Sequence, residues 1–472
     1  MKPKSLIRIL YRTTMFNNVT TLRIGQFAFE PSVGSIVKLI QRFPHIRDLS
    51  LPITVALIRK RKFETAVLAL DRLKSLTFEI LWPKVFYRNM TLSTVWKTID
   101  NNASSLGSLR LNFCQEVDDR GMMIHGLIDR VRVMKRFMKV TTDHRRYCDF
   151  FPLHRTQNWP KQLYLRVLQL QRFPYCSNPE VYTNPGLFRP ETLEIVSLLD
   201  CDGACEMLNK IAKLLLSLRY LQIVEAGAGG RVLGQALRQL PKPLTALYIR
   251  IGINLTAPCN FQGQIHAHQT NTQGEFSLLF ASINRHSHSL RSLVLDTDRR
   301  PPVCLDLMEE DAIRLPPRSM DEINFTGWTN LEELELSVGR IQGLDYLALP
   351  PTMKFLYIGD YKTNENMLPP LRTRIYLDCL QEYVENQHSL SAEPNFSLRA
   401  VIVRLESHPP ERLFFAVDRV ELLKEEVGGP SMKLISQQEF ERMFPEATDG
   451  GYWHSGNYKW KWVDRHIHKS RH

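Results

Sequence analysis

The chain has 472 residues, 43% of them hydrophobic and 10% aromatic, and a formal net charge of +12. That apolar content excludes a disordered chain, and no apolar run approaches the roughly 18 residues of a membrane span. Eight cysteines lie scattered without a CxxC pair, and no apolar leader opens the chain, so buried thiols and an intracellular home, cytoplasmic or nuclear, are expected.

Charge is uneven along the sequence. Residues 1–300 carry 42 Lys/Arg against 22 Asp/Glu, residues 301–450 carry 14 against 26, and residues 451–472 carry 5 against 1. Such a field steers partners but does not set a fold.

In chain order, residues 1–18 form a short basic amphipathic segment, expected as an N-terminal cap helix. Val19-x-x-Leu22-x-Ile24 is the first of a series of LxxLxL-like stretches, with further starts at 46, 73, 106, 134, 165, 193, 218 and 244. The steps between starts run from 25 to 33 residues, near 27. Alternation at the end of each stretch predicts a strand with one buried face. Between stretches, apolar residues recur at helical spacing at 36–43, 60–70, 92–99, 122–131, 205–216 and 230–240. One strand-plus-helix unit cannot bury its own apolar face, but stacked units can. The most regular pair is Leu218-x-x-Leu221-x-Ile223 and Leu244-x-x-Leu247-x-Ile249, with Gly230 to Leu240 between them.

Residues 19–254 are therefore read as regular repeats. Residues 255–405 are read as degenerate repeats, with strands starting at 290, 331, 353 and 398, a helix over 375–384, and two inserted loops at 255–275 and 299–330. Residues 406–472 are expected to be a C-terminal cap, with a strand or cap over 411–424, and a basic aromatic tail.

The pattern resembles the leucine-rich-repeat family, LxxLxLxx(N/C), with Cys114 and Cys201 at the Asn/Cys place. Its period is similar to that of the helix-bearing intracellular subclass, which includes ribonuclease inhibitor and F-box leucine-rich-repeat proteins. The resemblance implies an α/β solenoid, a horseshoe with a parallel concave sheet and convex helices. A narrower resemblance covers Ser5 to Leu10 followed by Val19 to Ile24, which looks like the junction after the F-box in fungal F-box proteins. Those proteins dock a Skp-type adaptor and present substrates to a ubiquitin ligase. An F-box is longer than the stretch before Ser5, so none is expected in this sequence, and a truncated F-box protein and a free-standing repeat protein both remain open.

Motifs for chemistry fail on residue type. The turn from Glu225 to Gly234 lacks the third glycine of a dinucleotide loop, because Val232 stands there, and no acidic residue follows before Glu275. As a phosphate loop it has Gln235 and Ala236 where Lys and Ser/Thr are needed. Cys201 with Cys205, and the HxH pairs His266/His268, His286/His288 and His466/His468, lack further ligands at metal spacing. No catalytic residue, cofactor or metal is assigned, and no enzyme is expected.

The strand face turned away from the helices is the expected binding surface for a protein partner. The residues between and just after the last two apolar positions point there. They include Arg110, Asn112, Gln169, Gln171, Gln222, Tyr248 and Arg250, with Tyr220 beside Gln222 and with Glu335 and Tyr357 in later copies. Tyr and Arg are residue types that anchor interfaces. The alternative is a nucleic-acid-associated protein that uses the basic N-terminal half and the tail, where Trp453, Trp460 and Trp462 interleave with Lys459 and Lys461.

Overall fold

The computed structural model describes residues 19–24, 33–53, 57, 60–82, 93–115, 163–171, 188–199, 201, 204–225, 230–252, 278–298, 325–338, 348–360, 369–390, 397–405, 411–418 and 431–447. The chain divides into two units, Met1–Leu218 and Arg219–His472.

Unit 1 is built from six parallel strands in sequence order: β1 (Thr21–Arg23), β2 (Asp48–Ile53), β3 (Ser75–Trp82), β4 (Ser108–Gln115), β5 (Val167–Gln171) and β6 (Ile195–Leu199). Helices α1 (Val33–Arg42), α2 (Arg61–Leu68) and α3 (Ser93–Asn101) fill the crossovers between the first four strands, and α4 (Ala204–Ile211) follows β6. Crossovers between parallel strands are right-handed, so successive helices fall on the same side of the sheet. The register aligns the motif leucines: Leu49 with Leu76 and Leu109, then Leu51 with Phe78 and Leu111. These residues are nearly sealed from solvent, as are Ile36, Phe63, Val67, Val95 and Ile99 on the helices. The repeat exists because neither the strand nor the helix of one copy closes this core without its neighbour.

Unit 2 continues the design with β7 (Tyr220–Glu225), α5 (Gly230–Gln239), β8 (Ala246–Gly252), β9 (Ser292–Asp298), β10 (Glu333–Val338), β11 (Phe355–Asp360), α6 (Pro369–Leu390) and β12 (Ala400–Leu405). These strands are parallel. Then the pattern turns: β13 (Glu411–Asp418) and β14 (Ser431–Ile435) pair antiparallel at the end of the sheet, and α7 (Gln437–Met443) follows. The fold is α/β, with mostly parallel sheets and helices, as a stacked-repeat solenoid requires.

Polar side chains tie each copy to the one before it. Asn102 accepts from the Leu73 backbone N–H through Oδ1 at 2.8 Å and donates through Nδ2 to the carbonyls of Leu70, 2.8 Å, and Thr98, 2.9 Å. Hydroxyls form a second ladder. Ser105 donates to the Leu73 carbonyl, Thr192 to Leu165, Ser289 to Leu244 and Thr352 to Leu331, at 2.7–2.9 Å. Each donor stands immediately before its own motif's first apolar residue, and each acceptor is that first residue one copy earlier. Carbonyls in the loop between helix and strand would otherwise be buried unpaired.

Several expectations change. β4 pairs directly with β5, so the copy expected at Met134 does not occupy a rung between them. That copy and the helix 122–131 lie outside the described residues, as do the cap helix 1–18, the loop 255–275 and the tail. The loop expected over 299–330 ends in core: Phe325 and Trp328 are buried, with Phe280 stacked on Trp328 at 6.3 Å between ring centroids. The helix expected over 375–384 is 22 residues long. Gly234 sits inside α5, within the helix expected over 230–240, and a Cβ there would meet Ser282 Oγ at 3.2 Å. There the glycine lets two helical segments approach closely.

Candidate functional site

Strand alternation sets the two faces. In unit 1, Leu109 and Leu111 face the helices, so Arg110 and Asn112 face away. Register carries this across the sheet in two rows: Thr77, Arg110, Gln169 and Ser197, then Glu79, Asn112 and Gln171. Neighbours in a row stand about one strand spacing apart, ~4.8 Å. Polar side chains fill rows that the opposite face fills with leucine. Gln169 and Ser197 are fully buried, Asn112 and Gln171 nearly so, and Arg110 and Glu79 are half-buried. Glu79 was absent from the expected set, although it holds the same repeat position as Asn112 and Gln171. Burial pushes its carboxyl above the ordinary carboxylate range.

In unit 2 the same face carries Gln222, Tyr248, Val294, Glu335, Tyr357 and Ile402 in one row. Tyr220 belongs to the next row, beside Ala246. Arg250 lies two residues beyond Tyr248 and is half-buried. Gln222, Tyr248, Glu335 and Tyr357 are all buried. The ten expected residues therefore all lie on strand faces opposite the motif leucines, four in unit 1 and six in unit 2, and most are more buried than side chains on an open surface.

One cause of that burial is visible. α7 lies on this face at the end of unit 2. Phe440, Phe444 and Ala447 pack with Phe355, Tyr357, Ile402, Phe414 and Ala416 in one cluster. The rings of Phe440 and Phe414 are 4.9 Å apart, and those of Phe444 and Phe355 are 5.9 Å apart. Arg399 lies over the Phe444 ring and pairs with Glu446. Ser436 caps the helix, its Oγ accepting from the Glu439 N–H at 3.2 Å. The chain's own C-terminal segment thus occupies the strand face around Tyr357.

The metal candidates resolve differently. His286 Nδ1 accepts from the Leu244 N–H at 3.2 Å, and its Nε2 faces the Leu237 carbonyl at 3.3 Å. Both nitrogens serve the backbone, and desolvation lowers the pKa to about 4. The Cys201 thiol donates to the Leu170 carbonyl at 3.4 Å, one repeat away. Among the described residues no group of three His, Cys, Asp or Glu is placed to hold a metal ion, and no helix is long and apolar enough to cross a membrane. The pairs His266/His268 and His466/His468 lie outside the described residues.

No protein-family model matches the chain, and no curated protein sequence matches it. Among solved structures, one similar chain comes from the complex of Rad7 and Elc1 in yeast, at 12% identity and a TM-score of 0.34, covering 72% of this chain and 76% of that one.

Proposed function

We propose that this chain is a non-catalytic recognition protein of the leucine-rich-repeat kind, with a protein partner bound on the strand face opposite the helices. In a curved array of this kind that face is the concave one. The observation that supports the reading is the row structure: amide, Arg and Tyr side chains recur at strand spacing on one face while the other is closed by leucine. A repeating ladder of this sort presents side chains at fixed intervals on a rigid support, which lowers the ordering cost of binding. The relation to ubiquitin-ligase substrate receptors, and to a Skp-type adaptor, rests on the sequence resemblance around Ser5 to Ile24.

Photo-crosslinking tests the reading. A photoreactive residue placed at Arg110, Tyr220 or Arg250 is expected to capture a protein partner. The same residue at Lys62 or Arg231, exposed on helices α2 and α5, is expected to capture none. Crosslinks confined to the helix positions would refute it. Recovery of a Skp-type adaptor would add the ligase connection. Capture of nucleic acid instead, with affinity falling steeply with salt, would favour the alternative reading. The surplus of 33 Lys/Arg over 18 Asp/Glu in residues 1–218 keeps that alternative worth testing.

A further inference from the structure

Three oxygens on the helix-free face of unit 1 are buried and accept no hydrogen bond: Glu79 Oε2, Asn112 Oδ1 and Gln171 Oε1. They belong to register neighbours, Glu79 opposite Asn112 and Asn112 opposite Gln171. Asn112 and Gln171 are each only 5% exposed. Native interiors leave few polar groups unpaired, and each exception calls for an explanation. The three consecutive exceptions in this row are all acceptor oxygens. One of the three is a carboxylate, and among the described residues no cation pairs with it.

The head group that satisfies such a set carries a positive charge and several N–H donors in a fixed arrangement. Guanidinium has five donors in a rigid planar fork and is weakly hydrated, so it enters a half-buried site at lower desolvation cost than an ammonium. Its fork can give two hydrogen bonds to the carboxylate and has donors left for the amide oxygens one and two strands away.

We propose that Glu79, Asn112 and Gln171 form a cradle for an arginine side chain presented by the protein partner, an inference that rests on the recognition reading above. The net charge of unit 1, 33 Lys/Arg against 18 Asp/Glu, repels free cations at long range. The ligand is therefore a single arginine carried on an acidic surface, which the field of the unit attracts. Glu79 supplies the charge, and the two amides supply direction and reject side chains without donors.

The test uses the full chain and two peptides, acetyl-Asp-Arg-Asp-amide and its citrulline analogue. Citrulline keeps the length and the planar head but has no charge. Ligand-observed NMR at fixed salt reads both affinities. The arginine peptide is expected to bind at least tenfold more tightly. Glu79→Gln should erase the difference between the peptides. Asn112→Leu and Gln171→Leu should each weaken the arginine peptide several-fold. They should leave the thermal midpoint unchanged or raised, because each removes a buried amide with an unpaired oxygen.

Equal binding of the two peptides, or unchanged discrimination in Glu79→Gln, would overturn the cradle. A lowered midpoint in Asn112→Leu would also overturn it, by showing that the amide turns to pair within the free protein. If strand-face crosslinks to a partner persist while the peptides are not distinguished, the cradle fails and the recognition reading stands. If arginine is selected but no partner crosslinks there, the recognition reading fails, and with it a partner's arginine as the occupant of the cradle.

Discussion

His286 makes the stability of unit 2 depend on pH, and the size of the effect follows from its surroundings. The imidazole is 1% exposed. Its Nδ1 accepts the Leu244 N–H, so the neutral ring carries its proton on Nε2, facing the Leu237 carbonyl. Protonating Nδ1 would set two donors against each other. Desolvation is the largest cause of the lowered pKa, with Arg285 and His288 also disfavouring a second positive charge and the Leu237 hydrogen bond partly opposing them. The folded value is about 4, against an ordinary 6.5. A base with a lowered folded pKa takes its proton more readily when unfolded. Its stabilising contribution is thus complete well above pH 6.5, declines as pH falls through 6.5, and is gone near pH 4. At about 1.4 kcal/mol per pH unit of difference, the full effect is on the order of 3 kcal/mol, and roughly 2 kcal/mol is lost by pH 5. Urea unfolding at intervals from pH 7.5 to 4.5, for the native chain and for His286→Gln, isolates this residue from the other histidines. The native chain should lose about 2 kcal/mol more than the variant between pH 7 and pH 5. Parallel curves across that window would show that His286 is not held neutral, and the account of its two backbone bonds would fall with it.

Three further outcomes are expected from substitution. Asn102→Ala leaves the Leu73 N–H buried without its partner and the Leu70 carbonyl with only the long contact from Asn101 Nδ2 at 3.5 Å. At about 1–3 kcal/mol for each stranded group, it should cost roughly 3–5 kcal/mol in denaturant unfolding; a loss under about 1 kcal/mol would mean that water replaces the side chain. Phe440→Ala removes the ring that holds α7 on the strand face and should cost about 3–5 kcal/mol. It should also raise hydrogen exchange in residues 431–447, and unchanged exchange there would refute the packing described. Gly234→Val puts a branched side chain where even a Cβ meets Ser282 Oγ at 3.2 Å and the Leu278 carbonyl at 3.5 Å. A thermal midpoint lowered by the equivalent of about 1–3 kcal/mol is expected, despite the better helix propensity of valine.

The strands were legible because their signal is redundant. Twelve motif copies coincide with the parallel strands β1–β12, including the loosely spaced ones at 290, 331, 353 and 398. In each, three apolar positions and a strand period agree on the same answer. The copy at Met134 carried two apolar positions instead of three, and the direct pairing of β4 with β5 shows that it adds no rung between them. Spacing alone cannot separate an inserted segment from a repeat of about the same length. The hydroxyl ladder also has a sequence signature. Ser105, Thr192, Ser289 and Thr352 all precede a motif's first residue, and small hydroxyl side chains there have a carbonyl within reach one copy back. α7 also left a signature. Ser436-Gln-Gln-Glu439 is a capping box, and Phe440 and Phe444 are spaced to lie on one helical face. What the sequence did not contain was the side on which that helix would land, since this depends on the antiparallel hairpin of β13 and β14 that precedes it.

The strand faces of the two units show how residue type selects an occupant. In β11, β12 and β13 the positions facing away from the crossover helices hold Phe355, Tyr357, Ile402 and Phe414, and phenylalanines of α7 cover them. The gain there is removal of apolar area from water, which needs no direction and tolerates an occupant with no polar side chains. In β3, β4 and β5 the helix-free face holds Glu79, Asn112 and Gln171. A helix like α7 placed on these would bury a carboxylate and two amides against phenylalanine, and each would lose water without gaining a donor. The polar rows therefore exclude the kind of cover that the apolar rows accept. The strand geometry is the same in both places, so the difference lies in the side chains at the alternating positions: Thr77, Arg110 and Gln169 in unit 1 hold the repeat position that Tyr357 and Ile402 hold in unit 2.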